Sequence, residues 1–469
     1  MSSSATLALG QASYTLLDVL GDDGAKVASL SKRGSTETLS AVKRGGEISD
    51  IGILGNGLAT LNVADRSSGL FYADNYISNS SIDSKINLLA GSSFSTFELG
   101  DGDNRFNAAR DLTYSEVTAH EGDDTIRIGG SADGSFVSTG DGDDHFTANR
   151  GSEGLDVAMG EGDDIALFLG TLTAGSNLVT PFDINDGQNI VDMGAGDDNA
   201  TFLGGVQGGE PGSTGYEIQL GAGDDTVVFG ANSRSNGFVL NTGTGSDEVT
   251  LGRTTTNAVI DLGWDNGGEG YHQNTDLYSG QGDLMVLGVG ATLEDSLIRS
   301  GQSNDLLFLA GTVTDSTLDL GWGNADVDVS GAVGFGDDTE ALWDLGGGND
   351  TLTFREYSDI SLLGNESFGY IDLGTGADSL SLLGTGFGEW GAIEFDLGVD
   401  SDIDTIELGL DLAYSGLLIN NFGDEDILII GESEYGYEDL FGFGGGDDDL
   451  STFLAAGNEI WSVNSDNSR

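Results

Sequence analysis

The side chains of this sequence that could do chemistry are carboxylates, and they recur at regular places. A Gly-x-Gly-x-Asp segment repeats along the chain. Clean copies start at Gly140, Gly160, Gly194, Gly221, Gly243, Gly334, Gly346, Gly374 and Gly444, and degenerate ones at Gly100, His120, Gly263, Gly280, Gly301, Gly321 and Gly398. Carboxylate oxygens, and the carbonyls that glycine-rich turns expose, are hard donors that suit a divalent cation of flexible coordination such as calcium. Soft metals lack their ligands, because cysteine is absent and the histidines are only His120, His145 and His272. Catalytic signatures are missing: there is no His-Glu-x-x-His and no Gly-x-Ser-x-Gly. Paired carboxylates are too abundant here to single out an acid–base couple.

The elements that must hold these turns are legible in the flanks. Three residues before the turn starts stand Phe97, Val117, Val137, Val157, Val191, Ile218, Leu240, Ile260, Leu277, Ile298, Leu318, Trp343, Ile371 and Phe395, all apolar. The next position is largely polar, as in Glu98, Ser138, Asp192, Gln219, Asp319, Asp344, Asp372 and Asp396. Alternation resumes after the turn in pairs such as Ile126/Ile128, Val227/Phe229, Leu307/Leu309 and Leu352/Phe354. Period-2 alternation marks strands with one buried face. Each unit therefore reads strand, tight turn, strand, second loop, often at 20-residue spacing. One such unit cannot bury its apolar face, whereas parallel stacking buries it continuously. The expected fold is all-β: a parallel β-roll or β-helix solenoid of roughly 16 coils, near 70 Å long at about 4.8 Å per step. A sandwich of hairpins is the competing arrangement, but hairpins have no need of one repeated turn motif.

Composition supports this and excludes much else. The chain of 469 residues carries 79 Asp+Glu against 16 Lys+Arg, a formal charge of −63, with 78 Gly and only 2 Pro. Nucleic acid would meet a strongly negative surface, so it is excluded as a partner. The charge is uneven: residues 1–85 are near neutral and contain all four lysines, Lys26, Lys32, Lys43 and Lys85. This places an N-terminal β-rich cap or docking segment over 1–90, the solenoid over 91–450 and a C-terminal cap over 451–469. Solenoids need capped ends, because an open end is an unpaired sheet edge.

Stacking the turns sets one or two aspartates within about 5 Å of their counterparts, a spacing at which like charges repel. A divalent cation between successive turns removes that repulsion. Metal-free, solvated acidic turns are the plainer alternative. The segment Leu220-Gly221-Ala222-Gly223-Asp224-Asp225-Thr226-Val227 resembles the RTX (haemolysin-type calcium-binding) nonapeptide, Gly-Gly-x-Gly-x-Asp-x-apolar-x, with leucine for the first glycine. Gly140-Asp141-Gly142-Asp143-Asp144 and Gly346-Gly347-Gly348-Asn349-Asp350 match equally well. The resemblance implies a right-handed parallel β-roll with several Ca2+ ions between turns. By position, the ligands it implies are Asp124, Asp144, Asp164, Asp198, Asp225, Asp247, Asp305, Asp338, Asp350, Asp378 and Asp448. Three departures stand out. Motifs lie about 20 residues apart rather than nine, so mostly one side of the roll carries them. Asn104, Gly267, Leu284 and Ala325 stand where aspartate is expected, so some steps lack a metal. The resemblance covers roughly residues 98–450.

The expected function is structural and non-enzymatic: a calcium-stabilised solenoid in an extracellular assembly, as a virion appendage or an envelope or surface-layer component. Its partners would be other structural proteins, met through the N-terminal segment, within an oligomeric assembly. Two alternatives stand beside it. One is a type I-secreted adhesin that binds surface glycans through Trp264 and Trp322; the other is a β-helix enzyme that modifies polysaccharide. No run of 18 apolar residues predicts membrane insertion. The start lacks the basic and apolar regions of an N-terminal signal peptide. An extracellular place, on a virion or a cell surface, follows from calcium sites that fill at near-millimolar ion.

Overall fold

In the computed structural model, residues 85–441 are described apart from 89–90, 176–188, 209–214, 264–281, 337–341, 357, 363–368, 384–385, 388–392 and 410–416; outside that span Asp83 and the backbone of strands between Ser4 and Ser80 and of Ile460–Val463 are described. Strands dominate, and the one helix among the described residues is the short Tyr437–Phe441. The chain divides into two compact units, Met1–Phe238 and Val239–Arg469. Each contains a stack of parallel coils, so the protein is an all-β parallel solenoid.

The first unit opens with antiparallel pairs, Ser4–Leu9 with Ala12–Leu17 and Lys26–Arg33 with Thr36–Lys43. Pairing turns parallel at Thr36–Lys43 against Thr60–Asp65 and at Gly52–Asn56 against Tyr76–Ser80. From there each coil adds one strand before the glycine turn and one after it. The strands before the turn, Thr96–Leu99, Glu116–Thr118, Phe136–Asp141, Asp156–Glu161, Asn189–Ala195 and Tyr216–Ala222, pair in parallel in that order. Those after it run from Arg105–Ala108 to Thr226–Phe229 in the same way. The register holds Val117, Val137, Val157, Val191 and Ile218 in one column, all fully buried. Parallel in-register stacking also lays like on like. Phe168, Phe202 and Phe229 stack in register with centroids 4.8 and 5.1 Å apart, and Phe146 and Phe238 extend the cluster at either end at 5.5 and 5.0 Å. That spacing lies within the favourable range for aromatic pairs.

The second loop of the sequence reading is itself a third, shorter parallel sheet. In the first unit its ladder runs through Gly91–Ser93, Leu112–Thr113 and Ala132–Asp133, breaks, and resumes at Ser152–Glu153 with Leu172–Thr173. The strands are two or three residues long, too short for alternation to reveal them. Their corner is held by hydroxyls: the Ser95 amide donates to Ser115 Oγ at 3.2 Å and the Ser115 amide to Ser135 Oγ at 3.1 Å.

The second unit repeats the plan. Val259–Leu262, Leu297–Ser300, Thr317–Asp319, Leu342–Asp344, Gly369–Asp372, Ile393–Asp396 and Leu417–Asn420 pair in parallel. Ile260, Ile298, Leu318, Trp343, Ile371 and Phe395 are buried in it, as the alternation predicts, and Leu277 lies outside the described residues. One expectation is corrected. The sequence suggests separate turns at Gly263 and Gly280, but Val259–Leu262 neighbours Leu297–Ser300 directly, and Glu248–Leu251 neighbours Leu284–Leu287. The two motifs belong to one coil with a long insertion between its strands. Parallel pairing from coil to coil, with antiparallel pairs confined to the ends (as at Ile427–Ile430 with Ser433–Tyr435), also rules out the sandwich of hairpins.

Candidate cation ladder at the turns

The glycines set the turn because nothing else fits. Gly160 has φ +119°, and a Cβ there would lie 1.8 Å from the Gly140 carbonyl oxygen of the preceding coil. At Gly162, φ is +131° and the Cβ would meet the Gly142 oxygen at 2.2 Å. Both facts demand glycine. They also show that turn carbonyls of successive coils stand in two columns running along the stack.

The motif aspartates close these turns from inside. Each accepts a hydrogen bond through Oδ1 from the backbone N–H of its counterpart one coil earlier. In the first unit the donor–acceptor series is Asn104 to Asp124 (2.6 Å), Asp124 to Asp144 (2.6 Å), Asp144 to Asp164 (2.8 Å), Asp164 to Asp198 (2.7 Å) and Asp198 to Asp225 (2.8 Å). In the second it is Asp247 to Asp283 and Asp283 to Asp305, then, past a break, Ala325 to Asp350, Asp350 to Asp378, Asp378 to Asp404 and Asp404 to Asp426. These carboxylates are buried, Asp124, Asp164, Asp305, Asp350 and Asp378 to within 1% of full enclosure. A second ladder runs outside them in the opposite sense. Exposed Asp103 accepts from the Asp123 amide, Asp123 from Asp143, Asp143 from Asp163, Asp163 from Asp197, and Asp197 from Asp224. In the second unit asparagines take this outer role: Asn304 accepts from Asn324, and Asn324 from Asn349. The paired acids of the Asp-Asp turns are thus bonded one forward and one backward along the stack.

The inner ladder leaves an electrostatic debt. The second oxygen, Oδ2, of Asp164, Asp198, Asp305, Asp350 and Asp378 is buried and accepts no hydrogen bond. An ionised carboxylate so placed is destabilised unless a proton or a cation meets it. Accordingly Asp124, Asp164, Asp198, Asp350 and Asp378 are pushed up to about 7, and Asp404 to about 8. Burial is the largest cause in every case. The ladder hydrogen bond opposes it, and neighbouring aspartates add to it. Asn104 reveals what surrounds the second oxygen: its Nδ2 donates to the carbonyls of Gly100 and Gly102, each at 2.6 Å. In an aspartate coil the side chain has an oxygen in place of that NH2 group.

Among the described residues no three acidic or histidine side chains converge on one point. What a turn can offer a cation is a buried ladder carboxylate and main-chain carbonyls, all hard oxygens. That set fits calcium and offers nothing to a soft metal.

Asp124, Asp144, Asp164, Asp198, Asp225, Asp247, Asp305, Asp350 and Asp378 all fall in the buried columns; Asp338 and Asp448 lie outside the described residues. Asp283, Asp404 and Asp426 are ladder residues that the motif register misses. Leu284, which that register puts at the aspartate position, is the first residue of the following strand. A better signal was present: each missed residue directly precedes a short strand, continuous apolar runs after Asp283 and Asp426 and an alternating one in Asp404-Thr405-Ile406-Glu407-Leu408. Trp322 is 65% exposed and packs on Gly347 of the next coil, whose Cβ position is 3.4 Å from the ring. Trp264 and His272 lie outside the described residues, and His120 and His145 are exposed. Comparison with known proteins adds no relative: no family model matches this chain, and no curated protein is significantly similar to it.

Proposed function

We propose that this protein is a non-enzymatic structural component whose solenoid is stiffened by calcium at the glycine–aspartate turns, in the manner of RTX repeats, and which serves in an extracellular assembly such as a virion appendage or a surface layer. The observation that carries the reading is the buried column of carboxylate oxygens without hydrogen-bond donors. Calcium at that column satisfies the second oxygens, and it quenches repulsion between carboxylates about 5 Å apart. Millimolar ion outside cells suits sites built from few charged ligands. Partners are other structural proteins, met through the near-neutral N-terminal segment.

Two experiments test it. Calcium should raise the thermal midpoint and chelator should lower it; equal melting in calcium and in EGTA would remove the metal from the account. Mass spectrometry of the particles or surface material that contain this chain should find it in fixed ratio to a large assembly, and recovery only as free secreted protein would reject the structural role. The exposed ring of Trp322 favours glycan binding as a second reading, though its packing on Gly347 gives the side chain a structural use.

A further inference from the structure

We infer that asparagine at the inner ladder position stands in for the cation, so that the Asn104 coil is complete without metal and opens the aspartate column of the first unit on a metal-independent rung. This inference rests on the reading of the ladder as a calcium column.

The argument is atomic. Asn104 keeps the ladder bond made by every member, its amide donating to Asp124 Oδ1 at 2.6 Å. It is wholly buried, as Asp124 is. The strand that follows it, Arg105–Ala108, pairs in register with Thr125–Ile128, so Asn104 and Asp124 occupy the same place in adjacent coils. They differ in one atom. Where aspartate presents a second oxygen, asparagine presents an NH2 with two donors, and both are used, on Gly100 O and Gly102 O. Those are the bonds that make a turn's carbonyls converge on the side chain. A cation draws carbonyls and carboxylate together by charge; the neutral amide does so by hydrogen bonding and leaves no charge to neutralise. Ala325 shows that loss of the carboxylate alone is different. It keeps only the backbone donor, to Asp350 Oδ1 at 2.7 Å, and supplies neither oxygen nor amide to its turn.

The identity of this one residue therefore decides whether a coil takes up an ion. Asn104→Asp should add one bound calcium per chain, counted by equilibrium dialysis or by titration calorimetry on the full chain. Asp164→Asn should remove one, and in EGTA it should melt above both the wild type and Asp164→Ala. An Asn104→Asp variant that binds the same number of ions as a calcium-binding wild type overturns the inference. So does an Asp164→Asn variant that melts with Asp164→Ala in EGTA, a comparison that does not depend on the first variant folding. A wild-type chain that binds no calcium at millimolar concentration defeats the parent reading instead, and is recognised before any variant is made.

Discussion

The backbone N–H of Asp144 donates to Oδ1 of Asp164 at 2.8 Å, joining residues one whole coil apart. The bond makes the turn aspartate part of the stacking framework even before any ion is considered. A buried carboxylate in this position has one oxygen committed to the backbone and one left for a proton or a cation.

Replacing a ladder residue should therefore cost more than replacing an outer acid. Asp164→Ala removes a charge-assisted acceptor and leaves the buried Asp144 amide unpaired, a loss of roughly 1.5–3 kcal/mol. Asp101→Ala, at an exposed position of a turn, should stay within about 0.5 kcal/mol. Denaturant unfolding of both variants in calcium checks this, and equal losses would discredit the ladder.

Acid should stabilise the metal-free chain. The ladder carboxyls near 7 in the folded state bind protons more tightly than the unfolded chain, in which aspartate titrates near its ordinary value of 3.8. Their contribution is fully present below about pH 4 and is lost as pH rises through 7 to 8. The melting temperature in EGTA should accordingly fall between pH 5 and pH 8. A rise over that window would show that these groups are not the ones titrating. In calcium the trend should flatten, because the ion needs the deprotonated form.

Space as well as backbone angle dictates the turn glycines. Gly160 and Gly290 both have positive φ, +119° and +77°, but a Cβ at Gly160 strikes the Gly140 oxygen while one at Gly290 meets nothing within 4 Å. Gly290→Ala should cost about 1 kcal/mol, from conformational strain alone. Gly160→Ala should cost several-fold more and broaden the thermal transition, because two coils must separate. Calorimetry of the two variants compares them directly; similar losses would mean that the coils yield readily at the turn.

The phenylalanine column should be a main source of stability in the first unit. Phe202 sits between Phe168 and Phe229, at 4.8 and 5.1 Å, and is fully buried. Phe202→Ala should destabilise by about 3–5 kcal/mol, read as an earlier denaturant midpoint. A loss below about 1 kcal/mol would place the stability elsewhere.

Trp322 separates the structural and adhesive readings. Trp322→Ala should leave retention on immobilised polysaccharide unchanged from wild type. Retention by the wild type that is abolished in the variant would favour the adhesin.

The sequence alone determined the coil. Period-2 alternation on both sides of a glycine turn requires a strand, a tight bend and a strand, and repetition at near-constant spacing leaves parallel stacking as the way to bury one apolar face. Spacing alone puts Val137 and Val157 in one column. It also marked most ladder aspartates, because they follow the glycines at constant distance. Tertiary structure decided what spacing cannot express. It joined Gly263 and Gly280 into one coil, since an insertion leaves no trace in alternation. It put Asp283, Asp404 and Asp426 in the ladder, since a residue's place there depends on the strand it precedes and not on its distance from the first glycine. Above all, it decided which of two adjacent aspartates is buried. Asp143 and Asp144 are alike as neighbours in a chain; only the turn, by aiming one side chain forward into solvent and the other back under the preceding coil, makes one an exposed acid and the other a buried one.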